Sequence, residues 1–453
     1  MLRLLRYLIP ALFKKFILRQ SNGTVVKYLA SNMGMAYIKL AQILAMQNIG
    51  NLFTESDRVD LLHICDDVNP IKYSKIEKTL EEAYGSRLHS IFKIIYEEPL
   101  GSASVSQVHK AVLYNGDTVV LKVRRKNLID EITRDMNLIL FIVKHFGKLI
   151  GFYNYMGSSK ALDFYEKWLK EEIDFNHEVE NINTYHAFIN KVNGKLDGCV
   201  DIVAPNVYEE LCNEDVIVME YISHPTVSNS CDRDSLLRGL DSYIKLSFYA
   251  LFNGINVVWH GDPHAGNLYI DNNGNIGFLD MGLVFSLSDE DMEMTRDFFF
   301  GAYFGDHNKL YDMLVPYVTG NSTELDAFHK DIIQYCNTLH SRPITSFFMD
   351  MVLVCFKYNI SPPDYLYGMA KAFVCLGGID TVYFNKQTGH ALLAEQVVEF
   401  LIRNAIDSSK QLVVDYMKLT ESLLDDDIVS VSRNIINCYN SFTDIFRYFK
   451  KGK

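Results

Sequence analysis

Residues 258–282 read Val-Trp-His-Gly-Asp-Pro-His-Ala-Gly-Asn-Leu-Tyr-Ile-Asp-Asn-Asn-Gly-Asn-Ile-Gly-Phe-Leu-Asp-Met-Gly, and no other stretch limits the fold as tightly. Asp262 precedes Asn267 by five positions, and Asp280 follows thirteen later, just ahead of Met281-Gly282. Between Asn267 and Asp280 lie an apolar run (Leu268 to Ile270), an Asp-Asn-Asn-Gly turn at 271–274 and a second apolar run (Ile276 to Leu279). That pattern predicts a β-hairpin. Such a hairpin folds Asn267 back toward Asp280, pairing two hard oxygen donors of the kind that share Mg²⁺ and phosphate. A solvated surface hairpin is the competing reading, and this stretch alone leaves both open.

A phosphate site needs a cation upstream. In residues 99–123 the small residues Gly101, Ser102, Ala103 and Ser104 predict a tight turn, followed by a strand from Val105 to Leu113. Asn115-Gly116-Asp117 then makes a hairpin turn, and Thr118 to Val123 is the return strand. Lys122 sits there among apolar neighbours, either as a buried ligand-facing lysine or as an edge-strand lysine that blocks aggregation. Buried, it needs a carboxylate, because an unpaired charge out of water is costly. The candidates lie in Glu171-Glu172-Ile173-Asp174-Phe175-Asn176-His177-Glu178, which reads as helix without a clean apolar stripe. Glu172 and Glu178 are a turn and a half apart and need not share a face; a solvated helix face explains either acid as well. Val216 to Tyr221 reads as a buried strand running out, past Glu220 and Tyr221, into a polar segment.

In this order the pieces resemble a protein kinase. There, a strand lysine holds phosphates, a loop Asp faces the acceptor, and an Asn five residues on shares Mg²⁺ with the Asp of an Asp-Phe-Gly triplet. Four features make the resemblance specific to the UbiB family of atypical kinases (the AarF/ADCK type), over residues from about 30 to about 380. Lys39-Leu40-Ala41-Gln42 resembles its Lys-x-Gly-Gln motif, and Gly101-Ser102-Ala103-Ser104 its alanine-rich loop. Glu172-Ile173-Asp174 matches its Glu-x-Asp motif, with Glu178 at the position of the helix-C acid. His260-Gly261-Asp262-Pro263-His264-Ala265-Gly266-Asn267 resembles its catalytic loop.

The resemblance implies an α+β, protein-kinase-like two-lobed fold with an N-terminal helical extension and a helical C-lobe. On that plan residues 1–98 are the extension, 99–222 the N-lobe, 223–407 the C-lobe and 408–453 a tail to which no function is assigned. It implies ATP or ADP with Mg²⁺, held by the loop 101–104, Lys122, Glu178 and the hinge residues Glu220 and Tyr221. Asn267 and Asp280 would take the metal, and Asp262 and Lys122 would be catalytic. Lys39, Gln42, Glu172 and Asp174 would regulate, the Lys39 helix lying across the substrate entrance. Relatives of this type resemble ATPases or small-molecule phosphotransferases and support ubiquinone and other prenyl-lipid biosynthesis at membranes. The expected partners are therefore nucleotide, an anionic membrane, a lipid or quinone precursor and a lipid-biosynthesis complex. The chain departs from the pattern at several positions. Ala41 stands for the motif glycine, Ala45 and Gln47 for Ser and Arg, Met281 for Phe of the triplet, and Gly101 and Ser102 for alanines. Whether the extra methyl at 41 keeps α-helical packing off the site, and whether ATP or ADP is preferred, stays open.

Composition narrows the rest. The chain has 453 residues, enough for two lobes and an extension, and no repeat period. Its eight cysteines include no Cys-x-x-Cys pair, which predicts reduced thiols, a reducing compartment (bacterial cytoplasm or mitochondrial matrix) and no structural zinc. Pro263 breaks the helix that a His260/His264 metal pair would need. No acid precedes Glu55, whereas Arg3, Arg6, Lys14, Lys15, Arg19, Lys27 and Lys39 give +7; with −12 overall, the remainder carries −19. Met1 to Arg19 alternates apolar blocks with these cations. The segment reads as a helix in the headgroup region of an anionic membrane, as a targeting peptide, or as a helix docked on the core. No run of eighteen apolar residues predicts a membrane span. The acidic folded part argues against nucleic acid. Helices are expected at Asp289–Tyr303, Thr323–Leu339, Tyr365–Leu376 and Leu392–Asp407, with Pro362-Pro363 at a helix start.

Three classes of function compete. One is a UbiB-type kinase or ATPase. The second is a small-molecule phosphotransferase of the aminoglycoside or choline kinase type, which shares the catalytic-loop pattern but lacks the Lys39 and Glu172-x-Asp174 motifs. A nucleotide-binding scaffold with negligible turnover is the third.

Overall fold

The computed structural model describes residues 2–47, 70–103, 105–126, 128–146, 173–304, 307–315, 322–338 and 363–384. It also describes 53, 54, 57, 61, 165–167, 169–171, 351, 352, 354, 355, 357, 358 and 360. All lie in one compact unit, Met1–Val397. Ser104, Glu172, the 392–407 helix and the 408–453 tail fall outside the described residues.

The chain opens with three helices, α1 (Leu2–Phe16), α2 (Asn22–Met33) and α3 (Met35–Gln47), followed by α4 (Tyr73–Tyr84) and the short α5 (Leu88–Ile91). Next come β1 (Phe92–Ser102), β2 (Ser106–Leu113), β3 (Thr118–Arg124), α6 (Leu128–Phe146), α7 (Phe175–Val192), β4 (Ile202–Val203) and β5 (Val216–Glu220). The second half holds α8 (Arg233–Phe252), β6 (Val258–His260), β7 (Leu268–Ile270), β8 (Ile276–Phe278) and β9 (Val284–Ser286). It ends with α9 (Asp289–Phe304), α10 (His307–Leu314), α11 (Ser322–Thr338) and α12 (Asp364–Tyr383).

Strands β1, β2, β3 and β5 form one antiparallel sheet in that order. Side chains alternate faces along a strand, and β3 uses both. Val119, Leu121 and Val123 join Ala111, Leu113, Val216 and Val218 against Ile76, Leu80 and Tyr84 of α4. Lys122 points the other way, opposite Val108 on β2 and Ile217 on β5. The run 119–123, apolar except for Lys122, thus belongs to an inner strand with buried side chains on both faces, not to an edge strand. Gly116, at φ 96°, makes the predicted β2–β3 turn, with its N–H on the Leu113 carbonyl (3.1 Å). The sheet begins at Phe92, ahead of the 98/99 boundary drawn from the sequence.

A buried polar knot ties this sheet together. His109, fully buried on β2, lies with Nδ1 2.8 Å from the Tyr96 carbonyl of β1 and Nε2 2.9 Å from the Gln107 amide nitrogen. The Gln107 oxygen accepts the Ile71 N–H (2.8 Å) and its nitrogen donates to the Ile71 carbonyl (3.2 Å). The Gln107 nitrogen also donates to His109, so His109 accepts at Nε2 and carries its proton on Nδ1, where it donates to Tyr96.

In the second half β7 and β8 pair across the 271–274 turn, as the sequence predicts, and β8 pairs in parallel with β4. A two-stranded ribbon, β6 with β9, carries the catalytic-loop motif at its end. Helix α12 lies against this ribbon through Gly368. A Cβ there would sit 2.1 Å from the Phe285 ring, and one on Gly261 would sit 2.7 Å from the same ring. Phe285 fits between loop and helix because both neighbours lack a side chain.

The N-terminal helices have a mixed surface. Ala11 of α1 is buried, while Ile9, Leu12, Phe13, Phe16, Ile17 and Leu18 are exposed. Ser21 caps α2 by accepting the Thr24 N–H (3.1 Å). Ala41 packs with Ala30, Ile38, Ala45, Phe53 and Leu61, so its methyl is absorbed by the α2–α3 core. Among the described residues no helix is long and apolar enough to cross a membrane.

Candidate active site

Lys122 comes from β3 and Glu178 from the first turn of α7. The segment 171–178 is not one helix as the sequence reads: Glu171 is helical, a turn intervenes at 173–174, and the helix that carries Glu178 is a new one. It starts at Phe175 because the Asp174 carboxylate caps it, accepting the N–H groups of Asn176 (3.0 Å) and His177 (3.4 Å). From there Glu178 reaches the face of the sheet that carries Lys122. Lys122 Nζ donates to both Glu178 oxygens (2.6 and 2.8 Å) and to Asp280 Oδ2 (3.0 Å). Burial works against the ammonium, but the Asp280 and Glu178 carboxylates outweigh it and hold Lys122 above its usual value. Burial pushes Glu178 up to about 7, with Lys122 pulling the other way. Asp280 is lowered to about 2, the loss of hydration beside its neighbours being outweighed by Lys122 and the Gly282 N–H.

Two residues weld loop to hairpin. Asn267 donates from Nδ2 to the carbonyls of Asp262 (3.2 Å) and Asp280 (3.1 Å), and its Oδ1 accepts the N–H groups of Leu279 (3.0 Å) and Asp280 (2.5 Å). His260 donates from Nε2 to the Asp280 carbonyl (2.7 Å) and accepts the Asp262 N–H at Nδ1 (3.1 Å). Burial lowers this imidazole to about 4, and the neutral ring stacks on Phe278 at 4.6 Å. Gly261 brings the loop close to β9, its N–H on the Leu283 carbonyl (2.8 Å). Met281, in the place of Phe, is fully buried, and Asn181 of α7 donates to its carbonyl (3.0 Å).

Asp262 has partners that local sequence does not disclose. Lys371 of α12 lies 2.8 Å from its Oδ2, and Cys375, one turn on, directs Sγ at its Oδ1 (3.4 Å). Burial opposes ionisation there, but the charge of Lys371, with His264 and Lys39 behind it, holds the carboxyl far below the usual range. Lys39 itself is buried on α3. Arg125, just past β3, also escaped the sequence reading. Its guanidinium donates to the Ala103 carbonyl (2.9 Å) and Ser102 Oγ (2.8 Å), pinning the small-residue loop.

The remaining expected residues sit on β1, at the end of β5 and on α3. Gly101 and Ser102 end β1, paired with Val108 and Gln107. Glu220 accepts from the Asn206 side chain (2.9 Å), and the Tyr221 N–H bonds the Thr118 carbonyl (3.2 Å) under the Lys110 ammonium, 4.1 Å from the ring centroid. Gln42 lies on α3, its side chain outside the described residues. A divalent cation would find Asp280 suitable: its side chain is 53% exposed, and a carboxylate has lone pairs beyond those used by Lys122 and Gly282. Asn267 has spent both lone pairs of Oδ1 on backbone N–H groups. It joins such a set only by exchanging them.

The family model for the ABC1 atypical kinase-like domain matches residues 63–314. An aarF domain-containing protein kinase of Arabidopsis thaliana, itself uncharacterized and named as chloroplastic, is 26% identical over 311 residues, covering 68% of this chain and 56% of that protein. The probable protein kinase UbiB of Pseudomonas fluorescens is 25% identical over 361 residues, covering 77% of this chain and 65% of that one. That of Shewanella piezotolerans is 24% identical over 453 aligned residues, covering 95% and 80%. The chain thus spans less than two thirds of the length of the first two relatives. With the family model over more than half its length and a two-lobed α+β architecture, this chain belongs to the ABC1 atypical kinase-like family.

Proposed function

We propose that the chain binds ATP or ADP with Mg²⁺ and acts as a UbiB-type kinase or ATPase in quinone or other prenyl-lipid biosynthesis at a membrane. The observation that carries this reading is the convergence of Lys122, Glu178 and Asp280 in one ion-paired cluster, welded through His260 and Asn267 to Asp262. Lys122 would hold nucleotide phosphates, oriented by Glu178, below the loop that Arg125 steadies. Asp280, joined by Asn267 after re-pairing, would hold Mg²⁺, which supplies charge neutralisation at the phosphates. In the transfer step the acceptor oxygen bonds to the γ-phosphorus as the bond to the bridging oxygen breaks. ADP leaves with that electron pair, and the acceptor proton passes to Asp262. Family membership supports a phosphotransferase-like class.

The membrane part rests on the exposed Phe13 and Phe16 of α1, and on Ile17 and Leu18 just past its end, which lie beside Lys14 and Lys15. A helix docked wholly on the core would bury them. Anionic lipid is the partner that this chemistry suits.

Thermal unfolding with and without Mg-ATP or Mg-ADP tests the nucleotide assignment. The wild type should be stabilised, and Asp280→Asn should lose most of that shift. An equal shift in both proteins would overturn the assignment.

A further inference from the structure

We propose that Lys371, with Cys375, is the positioning device for Asp262, so that the acceptor-facing carboxylate is set from α12 rather than from its own loop. This rests on the nucleotide-dependent reading of the site given above. The catalytic loop His260 to Asn267 contains no Lys or Arg. His260 and Asn267 fix the Asp262 backbone, through its N–H and its carbonyl, but not its side chain. The described partners of the carboxylate come instead from one face of α12. Lys371 holds Oδ2 at 2.8 Å and Cys375 meets Oδ1 at 3.4 Å. With a different group on each oxygen, the plane of the carboxylate is fixed as well as its position.

Burial shows how strongly the arrangement is built. The Lys371 side chain is 5% exposed, against 29% for Asp262. A lysine taken that far out of water is costly without an ion partner, and it sits in an apolar stretch, Met369-Ala370-Lys371-Ala372-Phe373. Helix α12 is seated by the contact of Gly368 with Phe285, one turn before Lys371 on the same helix face. Phe285 also touches Gly261, the residue before Asp262. Helix and loop are thus registered twice, through a ring between two glycines and through an ion pair.

A misplacement near 1 Å costs about a hundredfold in rate, so the effect should appear in turnover rather than nucleotide affinity. The experiment measures Mg-ATP hydrolysis, nucleotide-induced thermal shift and unfolding free energy for wild type, Lys371→Gln, Lys371→Arg, Cys375→Ala, Asp262→Asn and the Asp262→Asn/Lys371→Gln pair. Lys371→Gln should lower kcat about ten- to a hundredfold, with KM for ATP and the thermal shift within about twofold of wild type. Lys371→Arg should recover most of the loss and Cys375→Ala should lose a few-fold. In the Asp262→Asn background Lys371→Gln should cost nothing further. An unchanged or raised kcat in Lys371→Gln, a change in KM alone, or additive losses in the double variant would overturn the proposal while leaving the nucleotide site intact. Absence of any thermal shift in wild type would instead overturn the reading of the site. If hydrolysis is below detection, or if Lys371→Gln does not fold, the unfolding cycle with Lys371→Arg and Asp262→Asn decides: no coupling between the two positions overturns the proposal.

Discussion

Acidification should loosen the N-lobe through one histidine. His109 is fully buried, accepts from Gln107 at Nε2 and donates from Nδ1 to Tyr96. A proton on Nε2 would set two N–H donors against each other at 2.9 Å. Turning the Gln107 amide would relieve that clash but break both of its bonds to Ile71. Burial accordingly holds the His109 imidazole below its ordinary value, the Tyr96 carbonyl opposing only in part. A histidine depressed in the fold binds fewer protons there than in the unfolded chain. Its contribution is fully present above the unfolded value near pH 6.5 and is lost as pH falls below it, by up to about 1.4 kcal/mol per pH unit. Urea unfolding of wild type and His109→Gln at pH values from 7.5 down to 5 measures this directly, because histidines common to both proteins cancel in the difference. The stability advantage of wild type should be flat down to about pH 6.5 and then shrink with that slope. A constant difference over the whole range would refute the reasoning, and so would one that grows on acidification.

Two further outcomes follow from other contacts. Arg125→Ala removes two charge-assisted hydrogen bonds from the small-residue loop and should weaken Mg-nucleotide binding about tenfold, roughly 1.4 kcal/mol, in a calorimetric titration; unchanged affinity would show that the loop holds itself. Cardiolipin-containing vesicles should float the full chain at low salt and release much of it near 1 M, where the Debye length falls from ~10 Å to ~3 Å. A chain beginning at Ser21, or one carrying Phe13→Ser and Phe16→Ser, should float poorly, and equal flotation would remove α1 from the membrane role.

The fold was legible where local chemistry dictates it. Asn115-Gly116 and Asp271 to Gly274 announce their hairpins because few residue types fit such turns, and the Asp262, Asn267 and Asp280 spacing carries the site with it. The break before the helix holding Glu178 was not legible because a run of acids hides which one is the cap; the side chain of Asp174 decides that, and only its bonds reveal it. Lys371 was missed for a different reason. A lysine in an apolar helix signals a buried partner, yet nothing in the sequence says which carboxylate that is, 109 residues away. Arg125 carried no signal beyond sitting next to β3. The methyl of Ala41 was judged against the active site, whereas it faces the core between α2 and α3.

The seating of α12 against Phe285 also sets an order of events during synthesis. Lys122, Glu178 and Asp280 are all made before Lys371, and Cys375 lies 113 positions beyond Asp262. At ribosomal rates of ~5–20 residues per second that separation is on the order of ten seconds. On the proposed function, an emerging chain therefore owns the groups that would hold phosphate well before Asp262 is oriented. On that reading, competence to consume nucleotide arrives late, with α12.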